Sequence, residues 1–283
     1  MSAARLKRVA RDQWRRFDNV FRSATASIRA LPDFLIIGEA KCGTTSLYND
    51  LVSHPFVLGA AVKELHFFDL RYQRGIDWYK AQFPLPWRSW RMAGDRVQTG
   101  EASPYYLFHP HAPLRIKQAL PDVRLIAMLR NPVERAYSHY QHEFRKRRET
   151  LSFEEAVDRE PERLRGELER MLADPRYNSR EHRRHAYVTR GVYVDPLHNV
   201  TRLFGAARLL ILKSEDYFTA PEATLRRVFE FLELPPQESR SFARKNIGSY
   251  MPIDSHLRQR LVDYFAPHNA RLYDFIGVNL GWK

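Results

Sequence analysis

The sequence predicts a single α/β domain in which helices flank a central parallel β-sheet. Short apolar runs at residues 34–37, 124–129 and 208–212, with a shorter piece at 98–101, have the length and composition of buried strands. Segments with helical periodicity separate them, at residues 45–53, 113–119, 133–148, 195–204, 223–232 and 255–265. Strands that alternate with helices form βαβ units, and such units give parallel sheets.

Length and composition agree with one globular domain. The chain has 283 residues, of which 44% are hydrophobic and 28% charged. This length suffices for one large core and is short for two complete domains. We therefore assign residues 32–283 to one domain and residues 1–31 to an N-terminal helix. Within the domain, residues 150–190 are rich in Arg and Glu and poor in apolar positions, which is typical of a variable, mobile or substrate-facing insertion.

The N-terminal segment has the pattern of a basic amphipathic helix. Apolar side chains from Leu6 to Ile28 recur near helical spacing, and arginines fill most positions between them. The pattern fits peripheral contact with a membrane surface, and equally a helix packed on its own domain. An organellar transit peptide has similar composition, although Asp12 and Asp18 weigh against it.

The charge and the cysteine content limit the partners and the compartment. The net charge of +13 attracts nucleotides, acidic glycans, anionic lipid and nucleic acid alike, so charge alone does not select a partner. Cys42 is the only cysteine, so no intramolecular disulfide can form, and we expect a reducing, cytoplasmic environment. No apolar run reaches the roughly 18 to 20 residues of a membrane span, and we expect no secretory signal.

Residues 38–45 form the strongest local signal for ligand binding. Their sequence, GEAKCGTT, follows the first predicted strand and opens a helix, where unpaired backbone N–H groups and the helix dipole favour an anion. Gly38 and Gly43 have the spacing of a Walker A loop, but that loop requires Lys directly after the second glycine. Thr44 stands there instead, and the basic residue is Lys41. The loop therefore departs from the nucleoside-triphosphatase pattern.

Four segments in order resemble sulfotransferases that use 3′-phosphoadenosine-5′-phosphosulfate (PAPS). They are LPDFLIIGEAKCGTTSLYNDLVSHPFV from Leu31, KELHFFD from Lys63, GIDWYKAQFP from Gly75 and VRLIAMLRNPVERAYSHY from Val123. The likeness is strongest to the heparan sulfate N-deacetylase/N-sulfotransferases and 3-O-sulfotransferases, and it is interrupted at residues 150–190. It implies a P-loop-like phosphosulfate-binding loop and metal-independent transfer of a sulfuryl group to an acceptor hydroxyl or amine.

The resemblance also implies a set of donor-binding residues. The 5′-phosphosulfate would be held by Lys41, Cys42, Gly43, Thr44, Thr45 and Ser46. The 3′-phosphate would be held by Arg130 and Ser138. Arg130 ends a predicted strand just before a helix, which is where open α/β sheets bind ligands, and a guanidinium can form two hydrogen bonds to one phosphate. Lys245 is the expected second 3′-phosphate contact, and Tyr193 either contacts the donor or packs.

Sulfuryl transfer requires an in-line nucleophile, a proton acceptor and positive charge at the leaving phosphate. Lys41 can supply that charge, and by the resemblance Glu64 is the general base. His66 either orients Glu64 or the acceptor, or accepts the proton itself. If residues 63–69 are extended, the side chains of Glu64 and His66 point to the same side. Asp69 either contacts the acceptor or caps a turn.

One position departs from the heparan sulfate enzymes. Where they have Lys after a glutamate, in a Glu-Lys-Ser/Thr-Pro-like motif, this chain has Ala102 between Glu101 and Ser103. Either Lys41 acts alone at the sulfuryl group, or a basic residue from elsewhere substitutes. The departure also weakens the expectation of a heparan-type acceptor.

The acceptor is expected to be a carbohydrate or a glycolipid, with other small molecules as alternatives. Aromatic rings gather after the catalytic motif, where they either stack on sugar faces or pack, at Trp78, Tyr79, Trp87 and Trp90. An arginine-rich stretch suits an acidic acceptor or is a solvated helix face, at Arg176, Arg180, Arg183, Arg184 and Arg190.

No metal site is expected, because the histidine pairs lack accompanying cysteine or carboxylate ligands. These pairs are His109 and His111, His139 and His142, and His182 and His185. A helix N-terminus lowers thiol pKa values, but no positioned histidine accompanies Cys42, so we assign it no nucleophilic role.

Two other classes of function remain open. One is a nucleotide-dependent kinase with a degenerate phosphate loop, against which the absence of a Walker lysine argues. The other is a non-catalytic basic protein that binds nucleic acid or an anionic membrane. Such a protein would not need the set of Lys41, Glu64 and Arg130, so we expect no nucleic-acid partner. The sequence does not indicate an oligomeric state.

Overall fold

A computed structural model of the chain describes residue 18 and residues 20–86, 97–237 and 252–282. The centre of the described structure is a parallel five-stranded sheet with the order β2-β3-β1-β4-β5. Its strands are β1 (Phe34–Gly38), β2 (Val57–Gly59), β3 (Gln98–Ala102), β4 (Arg124–Leu129) and β5 (Leu209–Lys213). The predicted α/β fold with a parallel sheet is confirmed.

Helices connect the strands and cover both faces of the sheet. They are α1 (Thr44–Val52), α2 (Phe67–Leu70), α3 (Gly75–Lys80), α4 (Ala112–Ala119), α5 (Pro132–Arg145), α6 (Phe153–Leu164), α7 (Glu167–Ala173), α8 (Arg180–Arg184), α9 (Val194–Phe204), α10 (Ser214–Thr219), α11 (Pro221–Leu232) and α12 (Ser255–Ile276). Each helix predicted from periodicity is present. The last of them continues past Pro267 to Ile276, well beyond its predicted end.

The hydrophobic core lies on both faces of the central strand. Leu35 and Ile37 of β1 face one apolar cluster, whereas Phe34 and Ile36 face the other. All four side chains are almost completely buried. Burial on both faces is why β1 appears in the sequence as a continuous apolar run rather than an alternating one.

Residues 150–190 contribute helices α6, α7 and α8. Phe153 and Ala156 of α6 pack in a third apolar cluster, which also contains α5 and α12 side chains such as Val133 and Leu261. The expected mobility of this segment stays a prediction. At the N-terminus, residues 20–24 are helical, and residues 1–17 lie outside the described residues.

The strand order places the ends of three strands side by side. β1 lies between β3 and β4, and all three strands are parallel, so their carboxyl ends meet at one edge of the sheet. The strands that follow β1 in the sequence lie on both sides of it, β2 and β3 on one side and β4 and β5 on the other. The edge beside β1 is therefore a topological switch point, where open α/β sheets bind ligands.

Candidate active site

The loop after β1 presents the start of a helix to the switch-point edge. Gly43 is the N-cap of α1, and no side chain caps this helix end. The first backbone N–H groups of α1, from Thr44 to Ser46, are therefore available to an anion. Gly43 has φ 88°, and a Cβ there would lie 2.9 Å from the Phe218 ring, so glycine is required for both conformation and space.

Lys41 lies at the tip of this loop in a left-handed conformation, with φ 72°. Burial lowers the pKa of its ammonium group, and the charges of Arg145, Arg130 and Lys146 lower it further, whereas Glu143 opposes them. A cation surrounded by other cations is a site prepared for a polyanionic ligand. Arg130 also donates a 3.4 Å hydrogen bond to the carbonyl of Lys41.

Buried polar contacts hold the phosphate loop to the rest of the domain. Glu39 forms an ion pair with Arg190, and both side chains are almost completely buried. Ser214 donates a 2.7 Å hydrogen bond to the carbonyl of Cys42. Sequence reasoning missed the pair of Glu39 and Arg190, since a carboxylate in an anion-binding loop gives no sign of its distant partner.

The Cys42 thiol is completely buried. Burial, reinforced by the charge of Glu39, raises the pKa of the thiol to about 12. The low thiol pKa considered for this helix N-terminus is therefore wrong, because burial in an apolar environment outweighs the helix end.

Two of the three expected 3′-phosphate residues, Arg130 and Ser138, are described, and they lie around the end of β4 together with Tyr193. The Arg130 side chain is 28% exposed, so it remains accessible to a ligand. Ser138 lies on α5, 5% exposed. The Tyr193 hydroxyl donates a 2.8 Å hydrogen bond to the carbonyl of Arg130, and its ring is buried, so Tyr193 packs behind the strand end. Lys245 lies outside the described residues.

Glu64, His66 and Asp69 form a second group at the adjacent strand end. The backbone N–H of Glu64 donates to the carbonyl of Ala102, which ends β3. His66 Nδ1 lies 2.7 Å from Asp69 Oδ2, and its Nε2 lies 3.7 Å from Glu64 Oε2. Asp69 therefore contacts the histidine, and its Oδ1 accepts from the N–H of Leu70.

The segment around Glu64 is a turn, so the extended conformation considered for it is wrong. Glu64 and His66 have φ values of 61° and 50°, in the left-handed region. His66 then caps the N-terminus of the short helix α2. The side chains of Glu64 and His66 still lie close together. The left-handed backbone of the turn brings them together, rather than the alternation of side chains along a strand.

The charges of this group are strongly coupled. The imidazolium of His66, 3.7 Å away, and the nearby charge of Lys63 lower the pKa of Glu64 to about 2, against an opposing effect of burial. Burial lowers the pKa of His66, but its hydrogen bond to Asp69 and its ion pair with Glu64 outweigh this and raise the pKa to about 9. At neutral pH the group thus contains an imidazolium held between two carboxylates.

Ala102 occupies the position where the heparan sulfate enzymes have lysine, and this position is not accessible to solvent. Ala102 is completely buried. The basic residue next to the carboxylate of Glu64 is Lys63, whose Nζ lies 2.6 Å from Glu64 Oε1. In the segment that follows β3, the Tyr105 hydroxyl and His182 Nδ1 are 2.7 Å apart.

The aromatic residues after the catalytic motif divide into two kinds. Tyr79 is fully buried and stacks on Phe67, with ring centroids 4.6 Å apart, so it packs rather than contacting an acceptor. Trp78 is partly buried, and the Arg74 guanidinium lies 5.0 Å from its ring centroid. Trp87 and Trp90 lie outside the described residues.

Several of the paired histidines contact protein groups. His111 Nε2 lies 2.6 Å from the carbonyl of Met171, and His185 pairs with Glu181. Within the described ranges, no three His, Cys, Asp or Glu side chains gather as metal ligands would. In the same ranges, no helix has the length and apolar composition that crossing a membrane requires.

A comparison with known families decides the identity of the domain. The profile of the sulfotransferase domain matches residues 31–248, which include the phosphate loop, the turn of Glu64 and the end of β4. The chain belongs to the sulfotransferase family. It is an enzyme of the transferase class, and the resemblance noted in the sequence is confirmed.

Individual sulfotransferases are similar over most of the chain. A sulfotransferase structure from Alicyclobacillus acidocaldarius has 30% identity and a TM-score of 0.73, covering 89% of this chain and 98% of that one. The human bifunctional heparan sulfate N-deacetylase/N-sulfotransferase 3 is 31% identical over 86% of this chain. The membrane-associated sulfotransferase kil1 of Dictyostelium discoideum is 23% identical over 99% of it. The chain spans 29% of the human relative's length and 71% of the slime-mould relative's.

Proposed function

We propose that this sulfotransferase moves a sulfuryl group from PAPS to a hydroxyl or amine of a carbohydrate or glycolipid acceptor. The observation that carries the proposal is the arrangement at one sheet edge. An uncapped helix start with Lys41 follows the central strand, Arg130 follows one neighbouring strand, and Glu64 lies at the end of the other. This order provides donor-binding cations on one side and a carboxylate on the other.

The donor would be bound along the loop and the end of β4. Lys41 and the N–H groups of residues 43–46 would hold the 5′-phosphosulfate, and Arg130 with Ser138 the 3′-phosphate. The N–H of Cys42 donates instead to the carbonyl of Glu39, at 3.2 Å. The lowered pKa of Lys41 supports this, because the positive charges that lower it are charges a polyanion would neutralise. Lys245, outside the described residues, stays a proposed second contact for the 3′-phosphate.

The transfer would proceed in line. The acceptor oxygen or nitrogen bonds to sulfur as the bond from sulfur to the bridging phosphate oxygen breaks. The proton of the acceptor moves to Glu64, and adenosine 3′,5′-bisphosphate leaves. Positive charge at Lys41 and the start of α1 would stabilise the leaving phosphate.

His66 is assigned an orienting role rather than that of the base. Its pKa of about 9 keeps the ring protonated at neutral pH, so it has no site to accept another proton. Its two ring nitrogens instead face Asp69 and Glu64. Glu64 remains ionised and can accept a proton as the acceptor oxygen becomes acidic on bonding to sulfur.

The test of the base is Glu64→Gln, which keeps the shape of the side chain and removes its charge. We expect turnover in a radiolabelled sulfuryl-transfer assay to fall by about 10² to 10⁴, the usual contribution of a general base. Donor affinity, measured by calorimetry, should stay unchanged. Asp77→Asn on the exposed face of α3 is the matched control. Unchanged turnover in Glu64→Gln would remove it as the base.

Donor identity separates this proposal from the other classes of function. Immobilised adenosine 3′,5′-bisphosphate should retain the protein against competition from ATP and from duplex DNA. Turnover should persist in EDTA, because lysine, N–H groups and the helix dipole supply the charge that a divalent ion supplies in kinases. Elution by ATP together with loss of activity in EDTA would favour the kinase instead, and elution by DNA a nucleic-acid-binding protein.

The acceptor class is supported by relatives named as heparan sulfate enzymes and by a cluster of arginines around Arg184. Among relatives, mouse heparan sulfate glucosamine 3-O-sulfotransferase 3B1 is 29% identical over 91% of this chain, which spans 66% of its length. Burial lowers the pKa of the Arg184 guanidinium, and the nearby charges of Arg148, Arg183 and Arg180 lower it further. A screen of neutral and acidic saccharides, glycolipids and phenols with labelled PAPS tests this. Transfer to phenols alone would contradict the carbohydrate assignment.

Membrane contact and cellular location are proposals as well. Val20, Phe21 and Ile28 near the N-terminus are exposed, which supports peripheral contact of the N-terminal segment with a membrane surface. The cytoplasmic location stays a prediction from the single cysteine. Flotation with anionic vesicles, compared between the full chain and a Val20→Ser/Phe21→Ser variant, tests the contact, and equal flotation would contradict it.

A further inference from the structure

The turn that carries Glu64 and His66 needs support from outside itself. Both residues have left-handed backbone conformations, with φ values of 61° and 50°. Residues with a side chain adopt this region uncommonly, and they remain there only when the surrounding structure fixes them. The support should therefore be visible as contacts to the backbone of this turn.

Two hydroxyl groups from the segment after β3 provide that support. The backbone N–H of His66 donates to Ser103 Oγ at 3.1 Å. The next N–H, that of Phe67, donates to the Tyr106 hydroxyl at 2.9 Å, and that of Phe68 donates to the same oxygen at 3.4 Å. The last N–H of the turn and the first two of α2, which follows directly, are thus held by two side chains nearly 40 positions away in the chain.

Both hydroxyls are held in turn by one carboxylate. Ser103 donates to Glu101 Oε2 at 2.8 Å, and Tyr106 donates to Glu101 Oε1 at 2.8 Å. A hydroxyl that already accepts a backbone N–H has a single hydrogen to donate, so it is fixed best by a partner that only accepts. An ionised carboxylate is such a partner. Burial raises the pKa of Glu101, and the hydrogen bonds from Ser103, Tyr106 and Tyr79 oppose this by stabilising the ionised form. Glu101 is completely buried, so water does not compete for these bonds.

We infer that Glu101 is a positioning residue for the proposed base Glu64, acting through Ser103 and Tyr106 on the backbone of the turn. The inference rests on the proposed function of Glu64. Glu101 itself is buried behind the turn, and its described hydrogen bonds are to Ser103, Tyr106 and Tyr79. It acts on the reaction only through the place and direction it gives to the carboxylate of Glu64.

The chain contains its own matched control. Tyr79 also donates to Glu101 Oε1, at 3.0 Å, but the hydroxyl of Tyr79 accepts no N–H from the turn. Tyr79→Phe and Tyr106→Phe therefore each remove one buried hydroxyl and one hydrogen bond to the same oxygen. Only Tyr106→Phe also removes the acceptor for Phe67. Ser103→Ala removes the other support without altering a ring.

The experiment compares these three variants in a sulfuryl-transfer assay. Misplacement of a reacting group by about 1 Å costs up to about 100-fold, so we expect kcat of Tyr106→Phe and Ser103→Ala to fall about 10- to 100-fold. Tyr79→Phe should stay within about twofold of the parent. Donor affinity should be equal in all of them. Glu101→Gln should lower kcat as well, since an amide nitrogen cannot accept from a hydroxyl, and its effect should not add to that of Ser103→Ala.

A second measurement does not depend on activity. The pKa of His66, followed by NMR, should fall from about 9 towards 6.5 in Tyr106→Phe and Ser103→Ala, because the turn no longer holds the ring between Glu64 and Asp69. It should stay raised in Tyr79→Phe. If the parent protein transfers no sulfuryl group but these pKa differences appear, the proposed function fails while the support of the turn stands. Equal kcat and equal His66 pKa in Tyr79→Phe, Tyr106→Phe and Ser103→Ala would overturn the inference.

Discussion

Replacing His66 by asparagine is expected to remove a pH-dependent part of the free energy of unfolding. The ring of His66 lies 2.7 Å from Asp69 and 3.7 Å from Glu64, and the side chain is 22% exposed. Burial lowers the pKa of His66, but the hydrogen bond to Asp69 and the ion pair with Glu64 raise it overall, from 6.5 to about 9. The folded protein therefore binds this proton more tightly than the unfolded chain does.

The direction of the pH dependence follows from that difference. The proton stabilises the fold fully below the unfolded pKa of 6.5, and this contribution is lost as the pH rises through about 9. A rise from 6.5 to about 9 corresponds to about 3 kcal/mol, because each pKa unit is worth about 1.4 kcal/mol. The same ion pairs also lower the pKa of Glu64, so the two shifts are not added together.

Urea denaturation at about pH 6 and about pH 10 measures this contribution. The parent protein should lose about 3 kcal/mol more over this interval than His66→Asn. Buried His109 and His182 have lowered pKa values, through burial first and then neighbouring positive charges. These two histidines change charge only at acid pH, and both proteins contain them. Their contributions to the free energy of unfolding therefore cancel in the comparison. Equal losses in parent and variant would show that the carboxylates do not hold a proton on His66.

Two further predictions concern the donor site and the phosphate loop. Arg130→Ala should weaken PAPS binding by about 10- to 150-fold, the value of one charge-assisted phosphate contact, and should leave adenosine-5′-phosphosulfate binding nearly unchanged. Calorimetry with both donors measures this, and undiminished discrimination in the variant would contradict the assignment. Arg190→Met should lower the free energy of unfolding by about 3 to 5 kcal/mol, because it leaves Glu39 buried without its partner. Glu39→Gln/Arg190→Met should recover most of this loss in urea denaturation, and additive losses would show that the two residues are not coupled.

The fold was predictable because its strands are short apolar runs buried on both faces. β1, β4 and β5 stand out for that reason, and helical periodicity marks the segments between them. β2 was not predicted, since Val57–Gly59 is only three residues long and ends in glycine. The continuation of α12 was missed because Pro267 is usually a sign of a helix end, and packing of Leu272 in the core overrides it.

The site was predictable where one segment carries the chemistry and unpredictable where distant segments meet. Lys41 and Gly43 lie in one loop, so the sequence alone shows that they are close together. The left-handed turn at Glu64 depends on hydroxyls from Ser103 and Tyr106, which no local pattern around Glu64 reveals. One signal was available: Glu101 lies in a predicted buried strand, and a buried carboxylate requires donors.

The absence of lysine at Ala102 is consistent with a division of charge across the phosphate loop. Ala102 pairs with Ile36 across β3 and β1 and is completely buried. The cations whose charges act on Lys41 come instead from the β4 side, from Arg130, Arg145 and Lys146. On the β3 side, the carboxylates of Glu64 and Asp69 lie beside Lys63 and the imidazolium of His66. In the proposed reaction the cations on the β4 side therefore retain the phosphate, and Glu64 on the β3 side takes the proton.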